Sequence, residues 1–236
     1  MERICATGIE SAYGRKKVLK GVNLSAEAGQ CVGIVGANGC GKSTLLNILA
    51  GLRRADRGMI AFDGAVADCI AEKRQRRQKD GEQLFIRYTG YVPQENTLIQ
   101  ELRVKDNLLL WYSDEEVLMR ELAEGFLGML GLSEICSKKT GKLSGGMKKK
   151  VSIGCALAGN PPVLLLDEPG AALDLPAKAK VREYLLHYKS LGGTVVLATH
   201  EETELDICDR LYVLKEGYSQ EIDRGLRGEA LLAQIL

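Results

Sequence analysis

The sequence lacks any apolar segment long enough to cross a membrane. Its strongest apolar runs, such as Val163 to Leu166, are far shorter than the ~20 residues that span a bilayer. The beginning, MERICATGIES, also lacks the apolar core of a secretory signal. From these two absences we expect a protein that neither spans a membrane nor is secreted, and that works in the cytoplasm.

The chain also has almost no net charge. The 32 Lys and Arg residues are balanced by 31 Asp and Glu residues, which leaves a formal charge of +1. Such a chain has no overall field to attract nucleic acid or an anionic membrane, and we expect no nucleic acid partner. The strongly basic stretch EKRQRRQK, at Glu72 to Lys79, has no interleaved aromatic residues. We interpret it as a solvated helix face or loop rather than a binding patch.

The seven cysteines show no sign of pairing. They are scattered, odd in number and include no C-x-x-C pair. This spacing argues against a disulfide framework and against a structural zinc site. The cysteine pattern therefore indicates a reducing compartment.

What the sequence does contain is enough apolar material for a core, since 45% of its 236 residues are hydrophobic. Alternation at Val22, Leu24 and Ala26 predicts one strand, and the apolar run Cys31 to Val35 predicts a second. Leucines at helical spacing then predict a short helix that ends at Gly51. The pattern is that of a strand, a glycine-rich loop and a helix.

The second half of the chain repeats the alternation of strand and helix. The runs Val163 to Leu166 and Thr194 to Ala198 are typical of strands buried on both faces, and a helical stretch from Pro176 to Leu191 separates them. Residues 100 to 142 are mostly helix-forming and predict two or three helices outside the sheet. We infer an α/β fold with a mainly parallel sheet and an inserted helical subdomain.

The glycine-rich loop from Gly36 to Ser43 reads GANGCGKS and fits the phosphate-binding pattern G-x-x-x-x-G-K-[ST]. In this pattern successive backbone N–H groups and a helix N-terminus form a concave anion site. Gly39 and Gly41 have no Cβ, so the loop can adopt positive φ. Lys42 would reach the β- and γ-phosphates, and Ser43 would offer a hydroxyl to Mg²⁺. A chance match is disfavoured because the loop follows a predicted strand and opens a predicted helix.

A pair of carboxylates follows the buried strand that begins at Val163. Asp167 and Glu168 would lie at the carboxyl edge of the sheet, where α/β proteins bind their ligands. Asp167 is the predicted Mg²⁺ ligand, and Glu168 would orient or deprotonate an attacking water. Taken alone, this pair would also suit a solvated strand end.

With these elements in place, the sequence resembles the ATP-binding cassette (ABC) family. The deciding motif, LSGGM, is similar to the family signature and lies between the phosphate loop and the acidic strand, as in the family. The resemblance implies a single domain over residues 1–236. A nucleotide-binding core would occupy about residues 1–95 and 150–236, with an N-terminal antiparallel β subdomain, and a helical subdomain about 96–149. The signature residues are Leu143, Ser144, Gly145, Gly146 and Met147.

The resemblance also assigns roles to single residues. It implies that Tyr13 stacks on adenine, that Gln94 lies near the metal and the attacking water, and that His200 is the switch histidine. The other histidine, His187, is interpreted as structural. Asp174 corresponds to the aspartate that crosses to a partner subunit. The nucleotide-binding set implied is Tyr13, Gly36, Asn38, Gly39, Cys40, Gly41, Lys42, Ser43 and Thr44; the catalytic set is Glu168, His200, Gln94 and Lys42; the metal set is Ser43, Gln94 and Asp167.

Two positions depart from the family pattern. Met147 stands where the family most often has glutamine, and Gly170 stands where threonine or serine commonly follows the acidic residues and proline. Met147, followed by three lysines, is similar to exporter-type cassettes and favours export. Neither change removes a predicted catalytic group.

In the family the signature loop contacts the nucleotide of the opposite subunit. The resemblance thus implies hydrolysis of ATP, with Mg²⁺, in a homodimer or a heterodimer of such chains. A separate transmembrane permease would be the partner, and the chain would lie on the cytoplasmic face of the membrane. Two alternatives stay open: a soluble ABC ATPase acting on ribosomes or DNA, and an inactive regulatory cassette, which the presence of Glu168 and His200 opposes.

Overall fold

The computed structural model describes residues 2–67, 69–70, 78–95 and 97–236, and for residues 78–82 it describes the backbone alone. Most of the basic segment Glu72 to Lys79 lies outside the described residues. Its interpretation as a solvated surface therefore stays a prediction.

The described residues form ten strands. In chain order they are β1 (Glu2–Tyr13), β2 (Lys16–Glu27), β3 (Cys31–Val35), β4 (Arg57–Phe62), β5 (Ala65–Ala67), β6 (Thr89–Val92), β7 (Val163–Asp167), β8 (Thr194–Ala198), β9 (Arg210–Lys215) and β10 (Tyr218–Ile222). The α-helices of the same residues are α1 (Lys42–Leu49), α2 (Gln78–Tyr88), α3 (Val104–Leu109), α4 (Glu115–Ala123), α5 (Phe126–Met129), α6 (Gly145–Ala156), α7 (Leu175–Ser190), α8 (Glu202–Leu205) and α9 (Gly228–Ile235). Short 3-10 turns lie at Ser133–Ile135 and Thr140–Lys142.

The first sheet is antiparallel, in the order β2-β1-β4-β5. Along β1 the side chains of Ile4, Ala6 and Ile9 are buried. The sheet confirms the expected N-terminal antiparallel β subdomain, and the two strands predicted before the glycine loop are β2 and β3. The pattern did not predict β1, which precedes both of them. A register shift between Ala6 and Ile9, around Gly8, interrupts its pairing with β2. The period-two pattern is broken there, which hides the strand in the sequence.

The second sheet is mainly parallel, in the order β10-β9-β3-β8-β7-β6, with β9 and β10 paired antiparallel. Its central strands confirm the buried strands predicted from the sequence. In β7, Val163 and Leu165 pack into the apolar cluster shared with the first sheet, whereas Leu164 and Leu166 pack against the helices. Both faces of the strand are covered, which explains why the run is continuously apolar.

The helices agree with the sequence pattern at both ends of the sheet. Helix α1 is followed by Gly51 at a φ of 72°, and α7 coincides with the predicted helix to within one residue at each end. Helices α3, α4 and α5 lie within the stretch predicted to be helical and pack into the same apolar cluster as α6. In the ranges described, no helix is both long and apolar enough to cross a membrane.

This topology positions the predicted site. Strands β3, β6, β7 and β8 are parallel, so their carboxyl ends meet at one edge of the sheet. The glycine loop follows β3, and Gln94 lies just after β6. Glu168 follows β7, and His200 follows β8. Residues separated by more than 160 positions in the sequence are thereby brought to one edge.

Candidate functional site

The glycine loop joins β3 to α1 and presents backbone donors at its centre. Gly39 has a φ of 75° and Gly41 a φ of 115°, which confirms the positive φ predicted for both residues. Gly41 caps the N-terminus of α1, so the free N–H groups of the first helical turn point into the loop. Such an N-terminus favours an anion through its unpaired donors and its dipole.

Lys42 is held inside this loop. Its side chain is 7% exposed, and its Nζ donates to the carbonyl oxygens of Gly36 at 2.7 Å and Ala37 at 3.2 Å. The loop carbonyls thus fix the ammonium group at the rim of the anion site. An ammonium group in this position can attract and hydrogen-bond a phosphate group bound by the backbone amides of the loop.

Asp167 is the most buried acidic group of the site. It is 2% exposed, and among the described residues its Oδ2 atom has no hydrogen-bond partner. Burial raises the pKa of Asp167, while a hydrogen bond with Ser43 and the charges of Lys149 and Lys42 act to lower that pKa. An unpaired buried carboxylate oxygen beside a hydroxyl is a donor set that suits Mg²⁺, which takes oxygen ligands and few of them from the protein.

Glu168 is where three of the predicted catalytic residues meet. Gln94 Nε2 donates to Glu168 Oε2 at 3.0 Å, and His200 Nε2 lies 3.8 Å from Glu168 Oε1. The backbone of Glu168 adopts a φ of 48°, and its N–H donates to the carbonyl of Ala198 at 2.9 Å. This left-handed backbone is rare outside glycine and is typical of functional sites. Gln94 thus holds one carboxylate oxygen of Glu168 by a hydrogen bond, and His200 lies beside the other.

His200 lies close to a positive charge. Partial burial and the charge of Lys42 lower the pKa of His200, against the opposing effect of Glu168. We therefore expect a neutral imidazole at pH 7, since a lowered pKa moves protonation further into the acid range. A neutral imidazole can both donate and accept a hydrogen bond.

Tyr13 marks the other end of the cleft. Its ring is 53% exposed, and the guanidinium carbon of Arg53 lies 3.8 Å from the ring centroid. Its hydroxyl lies 3.5 Å from Thr44 Oγ1. The cleft between the two ends has a volume of about 560 Å³, and its lining residues are Tyr13, Val18, Asn38, Gly39, Gly41, Lys42, Ser43, Thr44, Gln94, Glu168 and His200.

The signature residues Leu143 to Met147 do not line this cleft. Ser144 is exposed and caps α6, its Oγ accepting from the N–H of Met147 at 3.3 Å. A Cβ on Gly146 would come within 2.6 Å of the carbonyl oxygen of Ala172. The start of α6 therefore touches the loop that leads from Glu168 to α7.

Asp174 also lies outside the lining of the cleft. It is the N-cap of α7, where its Oδ1 accepts from the N–H of Ala177 at 2.8 Å. Aspartate at this position satisfies one of the free donors of the helix. The side chain thus has a local role within its own chain, and its contact with a partner stays a prediction.

The departure at Gly170 has a structural explanation. A Cβ at this position would lie 2.6 Å from Glu204 Oε1 and 3.0 Å from Glu201 Oε2. Glu204 accepts a hydrogen bond from the hydroxyl of Thr199, and burial raises its pKa. These carboxylates occupy the space that a threonine or serine side chain would need.

Sequence reasoning missed two residues at the site, Lys149 and Arg53. Lys149 is 2% exposed and reaches the backbone beside Gln94 and Asp167. It stands in a run of three lysines, which indicates a solvated surface, although it lies four residues before the buried Ile153 and so shares the helix face of Ile153. The contact of Arg53 with Tyr13 joins residues 40 positions apart, and no local pattern indicates it.

The family model for the ABC transporter matches residues 19–171. The chain is similar to Nod factor export ATP-binding protein I of Burkholderia orbicola, with 36% identity over 214 residues, 89% of this chain and 66% of that protein. It is also similar to aliphatic sulfonates import ATP-binding protein SsuB 1 of Rhizobium johnstonii, with 36% identity over 218 residues, 91% of this chain and 74% of that protein. The chain thus spans just under two thirds of the length of the first relative.

Solved structures show the same fold. A dimeric, post-hydrolysis state of the ATP-binding cassette MJ0796, bound to ADP and Pi, matches with a TM-score of 0.79 and 30% sequence identity, over 95% of this chain and 99% of that one. These matches confirm the resemblance seen in the sequence and the predicted α/β fold class. The chain therefore belongs to the ABC transporter family, as one of its ATP-binding cassettes.

Proposed function

We propose that this chain is the ATP-hydrolysing subunit of an ABC transporter, and that it acts as a dimer beside a separate membrane subunit. The observation that carries the proposal is the meeting of Gln94, Glu168 and His200 at the mouth of the phosphate loop. A loop that binds phosphate can hold a nucleotide without cleaving it. A carboxylate in the same cleft, oriented by the hydrogen bond from Gln94, adds a means of positioning water.

Each group of the site has a task in hydrolysis. The amides of the glycine loop and Lys42 bind the β- and γ-phosphates, and Glu168 orients the attacking water and accepts its proton. Gln94 holds the carboxylate of Glu168 by a hydrogen bond, and His200, beside the other carboxylate oxygen, can hydrogen-bond to the γ-phosphate or the water. Mg²⁺, held by Ser43, Asp167 and Gln94, would neutralise charge on the β- and γ-phosphate oxygens. The products are ADP and phosphate.

A second cassette completes the site. Ser144 and the amides of Gly145 and Gly146 are solvent-accessible at the start of α6 and do not line the cleft of their own chain, so they are available to the γ-phosphate held by a partner. The partner is a second copy of this chain or a related cassette. A cassette of similar fold has been solved as a dimer with ADP and Pi, which supports this arrangement. Asp174 would lie near the contact between the two chains.

The membrane subunit would dock on the helical part of the chain, which we take as residues 96–149. Large apolar side chains are exposed there, including Trp111 at 65% and Leu110 at 60%. The similar proteins named above are ATP-binding proteins for export and for import, and the cassette would lie on the cytoplasmic face. The net charge of +1 gives no reason to expect a nucleic acid partner.

Fractionation of cells that produce the tagged chain tests the transport role. We expect the chain in the membrane pellet, and we expect Trp111→Glu to move it to the supernatant. The control is Leu191→Glu. Leu191 is 73% exposed at the end of α7 and lies outside residues 96–149, so this variant should stay in the pellet. A wild-type chain that sediments with ribosomes after the membranes are dissolved would instead support the soluble alternative.

A further inference from the structure

Lys149 connects three parts of the molecule that carry predicted site residues. It lies in α6, five residues after Ser144. Its Nζ lies 2.8 Å from the carbonyl oxygen of Pro93, 3.4 Å from that of Gln94 and 3.2 Å from that of Asp167. The helix of the signature residues is thereby joined to the ends of β6 and β7.

The contacts use the full donor capacity of the side chain. An ammonium group has three N–H donors and no acceptor, and three carbonyls receive them. Burial lowers the pKa of Lys149, and the charges of Asp167, Glu168 and Glu204 act to raise it. A buried cation is costly unless it is both hydrogen-bonded and paired with nearby negative charge. Here both conditions are met.

The backbone atoms that Lys149 holds belong to the segments whose side chains meet at the catalytic carboxylate. It binds the carbonyl of Gln94, whose side chain donates to Glu168, and the carbonyl of Asp167, which directly precedes Glu168. The 3.0 Å contact between Gln94 and Glu168 thus rests on two backbone positions bound to one ammonium group.

We infer that Lys149 is a positioning residue that couples the signature helix to the Gln94–Glu168 contact of its own chain. The inference rests on the proposed function, and it adds that engagement of Ser144 by a partner's nucleotide is transmitted through α6 to the cleft. A shift of α6 would move Lys149 and, with it, the backbone of Gln94 and Asp167. Gln94 and Glu168 would then be correctly placed for catalysis only when Ser144 contacts the nucleotide of the partner.

A purely structural role predicts a different result. If Lys149 only stabilises the fold, replacing it lowers the melting temperature and leaves kcat per folded molecule unchanged. If it positions Gln94 and Glu168, replacement lowers kcat while the nucleotide affinity of the isolated chain is retained. Separate measurements of kcat and of nucleotide affinity therefore distinguish the two roles.

The first experiment compares Lys149→Met with Lys149→Arg and with Lys150→Met as the matched control. We expect Lys149→Met to lower kcat about 10- to 100-fold, the size of effect that small misplacements of catalytic groups produce. Affinity for a fluorescent ATP analogue should change less than about twofold. Lys149→Arg, which keeps charge and donors, should recover most of the activity, and Lys150→Met should match the wild type.

The second experiment is a double-mutant cycle with Gln94→Ala. If Lys149 acts through Gln94, the loss caused by Gln94→Ala should shrink to less than about threefold when Lys149→Met is already present. Independent, multiplicative losses would overturn the inference. Should Lys149→Met not give a folded protein, Lys149→Gln, which keeps one N–H donor group without the charge, takes its place in the cycle.

A third measurement does not depend on turnover. In the Glu168→Gln background, Lys149→Met should weaken ATP-dependent dimerisation about tenfold, because the signature helix is no longer held to the cleft. If Lys149→Met changes neither the dimerisation nor kcat, the inference is overturned and the proposed function stands. A wild-type chain without ATP turnover would overturn the proposed function and this inference with it.

Discussion

The two ends of the cleft are built in different ways. At the end where we propose that phosphate binds, which we call the phosphate end, Lys42 and Asp167 are almost fully buried, and Lys42 is bound to two backbone carbonyls. At the opposite end, where we propose that the base binds and which we call the base end, Tyr13 is more than half exposed and contacts the side chain of Arg53. The difference indicates where precision is needed, since phosphate transfer depends on fixed geometry and base stacking tolerates movement.

The different construction of the two ends predicts different kinetic effects. Changes at the phosphate end should reduce the rate of hydrolysis or abolish phosphate binding, because Lys42, Asp167 and the Gln94–Glu168 pair are held in fixed positions. Changes at the base end should weaken nucleotide affinity and leave the rate of the bound complex nearly unchanged. The following substitutions test that division.

The largest effect is expected for Glu168→Gln. Loss of the carboxylate removes the base for water, so kcat should fall about 100- to 1000-fold while ATP binding is retained. Phosphate release measured at saturating ATP gives kcat, and calorimetry gives the affinity. Hydrolysis at the wild-type rate would show that Glu168 has no catalytic role.

Alkylation of Cys40 tests the phosphate loop without a substitution. Cys40 is half-buried, packs against the apolar cluster behind the loop and does not line the cleft. A bulky adduct should therefore displace the loop and lower nucleotide affinity at least about tenfold. Peptide mapping should show that ATP protects Cys40 from labelling. The labelling of Cys136, which lies outside the cleft, should not change with ATP. Full ATPase activity of a chain modified at Cys40 would refute this prediction.

Tyr13 gives the next effect. Tyr13→Ala should weaken ATP binding by about 1 to 3 kcal/mol, or about 5- to 150-fold, since stacking of a base on an aromatic ring is lost. Tyr13→Trp keeps a flat ring and should bind within about threefold of the wild type. Calorimetry measures both, and equal affinities for the two variants would mean that the ring does not stack on the base.

Arg53 should have the smallest effect. Arg53→Met removes the cation from the ring of Tyr13 and should cost about 0.5 to 1 kcal/mol of nucleotide affinity, the size of an exposed cation–π contact. The same change in a Tyr13→Ala background should have no further effect. An equal loss in both backgrounds would show that Arg53 acts independently of the ring.

The sequence predicted the phosphate end better than the base end, for a physical reason. The loop from Gly36 to Ser43 is a local structure, in which the chemistry of consecutive residues dictates the backbone. The buried strands β7 and β8 were also predictable, because both faces require apolar side chains. The contact of Arg53 with Tyr13 depends on how β1 and the end of α1 pack, and local patterns do not encode it.

Lys149 shows the same limit at the phosphate end. Lysine is mostly exposed in proteins, so a run of three lysines indicates a solvated surface. Its burial depends on three carbonyls supplied by the ends of β6 and β7, which are more than 15 residues away in the sequence. The missed strand β1 has a related cause, since the irregular pairing at Gly8 breaks its alternation.

The most direct test of the shared site is the mass of the Glu168→Gln chain in solution with and without ATP, measured by light scattering. Because this variant should bind ATP without cleaving it, we predict one chain without nucleotide and two chains with it. Adding Ser144→Arg, which blocks the signature loop, should return the ATP-bound protein to a single chain. A Glu168→Gln chain that is saturated with ATP and still monomeric, alongside wild-type hydrolysis that is strictly proportional to protein concentration, would contradict a site made by two chains.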